Sequence, residues 1–268
     1  MQGAATSFAT RLFRLIRLAL HIFHGVLTAA TVLDRMEQGR RQEVILRWSR
    51  QLLDILKVRT TLHGQLPSPG QRGTLFVANH VSWLDIYALK ATHPMHFVAK
   101  SEIRGWPVVG WLAHITDTIF IERDRRHATG QAVTALEQAL RQGECLCFFP
   151  EGTTTDGTQL KPFKASLLQA AINAEAALWP LAIRYLNADG SANTAVAYHG
   201  EMTMLQSLWE VLKQRETRVE LHFAAPISAT GGERRHLSQQ ARHAISSLLH
   251  LPRHKAPGTH DGPPGASR

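Results

Sequence analysis

The apolar run Gly73-Thr74-Leu75-Phe76-Val77-Ala78 ends on Asn79-His80, and Val81-Ser82-Trp83-Leu84-Asp85 follows at once. A short apolar run of this kind reads as a buried strand, and Ser82 onward reads as a helix start. His80 then stands where a strand hands over to a helix, in the kind of loop that carries sites on α/β folds. Residues five apart lie well apart around a helix axis. His80 and Asp85 therefore meet only if His80 precedes the helix and Asp85 lies in its first turn. In that geometry the carboxylate holds one ring nitrogen and the other is left to take a proton. The same residues also read as a capping box, with Ser82 as N-cap and Asp85 reaching back to its N–H, which gives the histidine no chemistry.

The 268 residues suffice for one large domain or for one domain with an appendage. Cys145 and Cys147 sit two apart in a strand-like run, a spacing that rarely bridges, so buried thiols in a reducing compartment are expected. Formal charge is +9, and residues 1–50 hold eight arginines against three acids. A basic end of this kind implies an anionic partner: a membrane surface, a nucleic acid or a phosphate-bearing substrate.

The N-terminal stretch narrows that choice. Leu12 to Leu33 is mostly apolar, with Arg11, Arg14 and Arg17 at spacing three along one helical face. Its longest run without a charged residue, Leu18 to Leu33, falls short of the ~20 residues that a spanning helix needs. A basic amphipathic helix lying in the membrane interface fits better. Asp34 to Val58 reads as a second helix, either packed on the main domain or sharing the membrane role. We take residues 1–58 as this two-helix element, 59–251 as the main domain and the Pro- and Gly-rich 252–268 as a disordered tail.

After the turn at Leu66-Pro67-Ser68-Pro69-Gly70, strand-like and helical segments alternate. Strands are expected at 73–79, 95–100, 118–122, 145–149, 179–185, 194–199 and 218–224. Helices are expected at 82–91, 106–114, 128–142, 164–176, 202–214 and 237–250. The pattern predicts an α/β fold: a mixed, mostly parallel sheet flanked by helices.

A second constellation follows the strand Cys145-Leu146-Cys147-Phe148-Phe149, which runs into Pro150-Glu151-Gly152-Thr153-Thr154-Thr155-Asp156-Gly157. A Glu-Gly turn rich in hydroxyls and backbone donors reads as a polar pocket or as a plain surface turn. It is not a phosphate loop, because Thr158 stands where that motif requires lysine. A nucleophile elbow and a dinucleotide fingerprint are likewise missing. Between the two constellations, Thr118-Ile119-Phe120-Ile121-Glu122-Arg123 ends a strand on an arginine, a natural fork for phosphate. Arg125 and Arg126 read as solvated charge.

Asn79-His80-x4-Asp85, Phe120-Ile121-x-Arg123, Phe149-Pro150-Glu151-Gly152-Thr153 and Trp179-Pro180-Leu181 resemble, in order, the four motif blocks of the glycerolipid acyltransferases. The resemblance covers roughly residues 60–230 and is nearest to bacterial 1-acylglycerol-3-phosphate acyltransferases. Lys100-Ser101-Glu102 with Pro107-x2-Gly110 is similar to the family segment between the first two blocks. The resemblance implies a catalytic domain behind a two-helix membrane element, at the cytoplasmic face of the inner or plasma membrane. Its substrates are a lysolipid and an acyl-CoA or acyl carrier protein thioester, with no further cofactor and no metal. It departs at Thr154, where glycerophosphate enzymes of the family usually carry an arginine associated with the acceptor phosphate. Glu-Gly-Thr-Thr-Thr followed by Pro162-Phe163-Lys164 is closer to relatives acting on other lysolipids, lyso-ornithine lipid included.

The expected reaction is therefore acyl transfer to a lysolipid hydroxyl, with His80 as general base and Asp85 fixing its tautomer. Lys100 and Arg123, with Lys164, are the expected cations, and Glu151, Gly152 and Thr153 the expected acceptor contacts. Backbone donors near Gly152 are candidates for meeting thioester carbonyl charge. No serine or cysteine is placed for an acyl-enzyme, which favours direct transfer. The rival from another class is a basic protein that binds membrane or nucleic acid without chemistry. An aromatic content of 7% and the lack of a nucleic-acid module speak against nucleic acid.

Overall fold

The computed structural model describes residues 5–68, 71–122 and 126–251. The chain opens with α1 (Phe8–Thr31), whose N-cap Ser7 accepts from the Thr10 N–H at 3.3 Å. A 3-10 turn at Leu33–Arg35 leads to α2 (Gln38–Leu56). The two helices cross where Trp48 stacks on His21, ring centroids 4.6 Å apart. Gly25 permits that approach, since a Cβ there would lie 2.4 Å from Trp48 Nε1. Lys57 then adopts the left-handed conformation, φ 59°, and turns the chain directly into β1 (Val58–Gly64).

The main domain continues as β2 (Thr74–Ala78), α3 (Leu84–Lys90), β3 (His96–Lys100), α4 (Val109–Ile115), β4 (Ile119–Ile121), α5 (Arg126–Arg141) and β5 (Cys145–Phe148). After a long loop come α6 (Leu168–Asn173), β6 (Ala177–Leu186), α7 (Met204–Lys213), β7 (Thr217–Phe223), β8 (Ile227–Ser228) and α8 (Arg234–Leu248). The sheet order is β1-β7-β6-β2-β5-β3-β4, with β8 on β6. Strands β6, β2, β5, β3 and β4 are mutually parallel, while β7 runs antiparallel to β6 and parallel to β1. This is the mixed, mostly parallel α/β sheet expected from the alternation.

Every residue of β2 is buried, as strands covered on both faces require. Phe76, Leu84, Trp179, Leu181 and Val219 pack with Leu18, Leu52 and Leu56 of α1 and α2 on one face. Leu75, Val77, Leu146 and Phe148 pack with Leu136, Leu168, Ala241 and Ile245 on the other. The parallel strands place the ends of β2, β5, β3 and β4 along one edge of the sheet, where ligands bind in such folds.

Three expectations are corrected. Residues 194–199 form a 3-10 turn (Thr194–Val196) rather than a strand, because Asn193 caps it by accepting from the Ala195 N–H. The helix expected at 164–176 begins only at Leu168, since the Lys164 N–H donates to the Pro150 carbonyl and holds that stretch in the loop. The second helix ends at Leu56 rather than Val58, and β1, where no strand was expected, follows. Arg123, Arg125, the turn residues Pro69-Gly70 and the tail 252–268 lie outside the described residues.

Candidate active site

The turn between β2 and α3 is built around one carboxylate. Asp85 is fully buried, and its Oδ2 accepts from His80 Nδ1 at 2.8 Å, from the Val81 N–H at 2.8 Å and from the Ser82 N–H at 3.0 Å. Its Oδ1 accepts from the Tyr185 hydroxyl at 2.7 Å. A buried carboxylate is tolerable only with such satisfaction. Asp85 thus ties back the helix start through the Ser82 N–H and also grips His80. The cap geometry differs in detail, with Trp83 rather than Ser82 at the N-cap.

An ionised Asp85 only accepts, so His80 Nδ1 carries the hydrogen and Nε2 presents its lone pair. The imidazole lies flat on Phe149, centroids 3.8 Å apart and planes 7° from parallel, and its side chain is 18% exposed. The loop after β5 also fixes the backbone of His80. The His80 N–H donates to Glu151 Oε1 at 3.0 Å, and its carbonyl accepts from the Thr155 N–H at 2.9 Å. Glu151 is buried, and its second oxygen accepts from the Lys161 N–H at 2.8 Å. Burial pushes the Glu151 pKa up, opposed by the backbone N–H groups of Lys161 and His80. The half-buried imidazole is thus held at Nδ1 by Asp85 of α3, and its plane and backbone by the loop after β5.

A family model described as Acyltransferase matches residues 59–184. The chain is 34% identical over 251 residues to a 1-acyl-sn-glycerol-3-phosphate acyltransferase of Neisseria meningitidis serogroup B, covering 93% of this chain and 97% of the relative. It is 35% identical to a lyso-ornithine lipid O-acyltransferase of Pseudomonas aeruginosa, covering 78% of this chain and 79% of the relative. The chain belongs to this acyltransferase family. The fold agrees with the crystal structure of a 1-acyl-sn-glycerophosphate acyltransferase from Thermotoga maritima, TM-score 0.66 at 19% identity over 90% of this chain and 96% of that one.

The other expected site residues of the acyltransferase are placed as follows. Gly152 has φ 76°, and its N–H closes a turn on the Phe149 carbonyl at 3.1 Å. Thr153 is exposed beside it. Lys100 is exposed at the end of β3, two strands from β2 in the sheet order. Lys164 lines a cleft with Glu122, Phe149 and Pro150, next to the ring that carries His80. The Thr154 hydroxyl donates to the Tyr198 carbonyl, so it serves the loop. Cys147 is buried, which pushes its thiol pKa up and keeps it inert.

Tyr185, Phe149 and Asn79 also build the site, with no role legible in the sequence. Burial and the neighbouring Asp85 charge raise the Tyr185 pKa well above its usual value, so its hydroxyl stays a donor. Asn79 exchanges two hydrogen bonds with the Ile183 backbone, at 2.7 and 3.0 Å, and so ties the end of β2 to β6. A tyrosine in a buried strand signals that its hydroxyl has a partner. No local pattern says which one.

The outer surface of α1 is apolar. Phe8, Leu12, Phe13, Ile16, Leu20, Phe23 and Leu27 are exposed and fall on one side of the helix. Trp106, Val108, Val109 and Trp111, at and before the start of α4, are exposed as well, and α4 lies against α1. Of the arginine row, only Arg17 is exposed with them, over the Phe13 ring. Arg14 is buried and donates to the carbonyls of Gln214 and Arg215, just past the end of α7, at 2.7 and 3.2 Å. Arg11 lies over the Trp209 ring. Helix α1 is also long and apolar enough to cross a bilayer by length and composition, which the 16-residue uncharged run understated.

Proposed function

We propose that this acyltransferase moves a fatty acyl group from an acyl-CoA or acyl carrier protein thioester to the free hydroxyl of 1-acyl-sn-glycerol 3-phosphate, giving phosphatidic acid. The observation that carries the reading is His80, gripped at Nδ1 by a fully satisfied Asp85 with Nε2 left over. The acceptor hydroxyl gives its proton to His80 Nε2 as its oxygen attacks the thioester carbonyl. The tetrahedral adduct then collapses, the C–S bond breaks, and the imidazolium returns the proton to the leaving thiolate. Asp85 stabilises the imidazolium in between. General-base assistance of this kind is typically worth ~10²–10⁴ in rate. In this reading Glu151 is a positioning residue that holds His80 by its backbone. Lys164 and Lys100, with Arg123, serve the acceptor phosphate.

The coverage of the relatives named for this acceptor supports it, with both chains aligned almost end to end. Thr154 favours a second reading, transfer to lyso-ornithine lipid, since it offers no cation to a phosphate. The outward apolar row of α1 and the tryptophans near α4 supply the membrane contact, at the cytoplasmic face where thioester donors are made. One side of α1 is taken up by the domain, which favours a helix bedded in the interface over one that crosses it. Purified protein offered both donors and a panel of lysolipids, with products read by mass spectrometry, tests the assignment. Lysophosphatidate should give the highest kcat/KM. A value tenfold below that of another lysolipid would transfer the acceptor assignment to that lipid.

A further inference from the structure

Away from His80, the polar face of β7 and β1 brings three metal-ligand types to one point. Glu220 and His222 are two apart on β7 and so share a face, and His63 is the register partner of His222 on β1. The two imidazoles stack with centroids 4.4 Å apart, and both turn Nε2 toward one carboxylate. His222 Nε2 lies 3.0 Å from Glu220 Oε2, and His63 Nε2 lies 3.7 Å from Oε1. One donor atom from each residue falls within a 4.8 Å set. Ligands on a tetrahedral ion with ~2.1 Å bonds stand about 3.4 Å apart, a value the two measured separations straddle.

Two observations say that this is more than a chance cluster. His63 Nε2 is out of solvent and makes no hydrogen bond, although the rest of its side chain is 42% exposed. A buried ring nitrogen without a partner costs stability. Glu220 also faces Arg184 across the β6–β7 ladder, yet no ion pair joins them; Oε2 bonds His222, and Oε1 points toward His63 from 3.7 Å without a hydrogen bond. A carboxylate that passes over an adjacent guanidinium for two imidazoles is arranged as a ligand set.

We propose that His63, Glu220 and His222 bind a borderline divalent transition-metal ion, Zn²⁺ in the first place, with water completing the shell. Two imidazoles and one carboxylate suit that class rather than Mg²⁺ or Ca²⁺, which take oxygen ligands. The ion staples β1 to β7. Strand β1 is the sheet's edge and follows α2 directly, so the staple secures the junction between the N-terminal helices and the catalytic sheet. It is structural, since β1 and β7 stand apart from the β2–β5 site.

The test is a Zn²⁺ titration by calorimetry, on full-length protein made without a polyhistidine tag and stripped with chelator. A parallel thermal melt is run with and without Zn²⁺. Expected are one tight site with Kd below about 10 µM and a higher Tm with Zn²⁺ than with Mg²⁺, by ligand linkage. His63→Gln and Glu220→Gln should each weaken that site at least tenfold and remove the Tm gain, while acyl transfer without metal stays unchanged. Co²⁺ in place of Zn²⁺ should give visible absorption bands that both variants lose. Wild-type binding weaker than about 100 µM, or equal Zn²⁺ affinity in the variants, overturns the site as adventitious histidine binding.

Discussion

Tyr185 donates its hydroxyl to Asp85 Oδ1 at 2.7 Å, so the carboxylate that grips His80 is itself gripped from the opposite side, by a residue on β6. With the Val81 and Ser82 N–H groups on Oδ2, each Asp85 oxygen is committed. Asp85 therefore cannot swing away from the imidazole without breaking buried hydrogen bonds. The rotamer of the base is set by the sheet, not by the turn alone.

Removing the grip gives the first prediction. Tyr185→Phe leaves buried Asp85 Oδ1 without its donor, a loss that typically costs ~1–3 kcal/mol. Urea unfolding should show a stability drop of that order, and acyl transfer should fall by less than in a His80 variant. Unchanged stability with unchanged rate would show that the hydroxyl contributes nothing to holding the carboxylate.

His80→Ala should lower kcat/KM by about a hundredfold or more, with folding and vesicle binding retained, if His80 is the base. Asp85→Asn should lose less, since an amide oxygen still accepts from Nδ1–H while the charge facing the imidazolium is gone. The amide NH₂ can be offered to the Tyr185 oxygen, which keeps the buried site paired. Steady-state kinetics with an acyl-thioester donor decide the matter. More than a tenth of wild-type activity in His80→Ala would rule out the general-base assignment.

Lys90 supplies a pH prediction. It is buried at the end of α3, with its ammonium 5.8 Å from the centre of the Phe97 ring, and burial pushes its pKa down from 10.5 to about 8, despite Asp117 nearby. Below about pH 8 both folded and unfolded chains hold the proton, and the fold bears the full burial cost. Between about 8 and 10.5 the unfolded chain holds more protons, so this group makes the fold more stable as pH rises, by on the order of 3 kcal/mol in all. Lys90→Met should be more stable than wild type near neutral pH, and the gap should close toward about pH 10. A gap that stays constant across paired urea titrations would show that Lys90 does not titrate in that window.

The pairing of His80 with Asp85 was legible because it rests on local facts: a buried run that must end, and a helix that must begin. The mostly parallel sheet was legible for the same reason, as apolar runs separated by helical periods. What escaped the sequence reading depended on partners far along the chain. Tyr185 is a hundred residues from Asp85, and nothing near it names that carboxylate. Strand β1, at the sheet edge, alternates poorly, so its pattern puts Val58 in the second helix and leaves 59–64 without an element. The arginine row of α1 was seen as a row, but periodicity does not say which side of a helix faces inward. The carbonyls of Gln214 and Arg215, just past α7, decide that for Arg14.

With Arg14 bonded inward and Arg11 packed over Trp209, the N-terminal helix should behave differently from an arginine-led anchor. An arginine-led attachment to anionic lipid would be salt-sensitive, since screened charges carry it. The exposed row of Phe13, Ile16, Leu20 and Phe23 instead presents apolar area, worth roughly 25 cal/mol per Å² when buried in lipid. Flotation with vesicles should therefore survive high salt and depend little on anionic lipid. Ile16→Ser/Leu20→Ser/Phe23→Ser should release the protein from vesicles while keeping its fold. Arg14→Ala should lower thermal stability by loosening α1 from α7, because its two carbonyl partners lose their donor, yet leave vesicle binding near wild type. If Arg14→Ala abolishes flotation while the apolar triple variant keeps it, the charged face is the membrane contact after all. In sealed vesicles, protease protection of one end of α1 with cleavage at the other would show a crossing helix and end the interfacial reading.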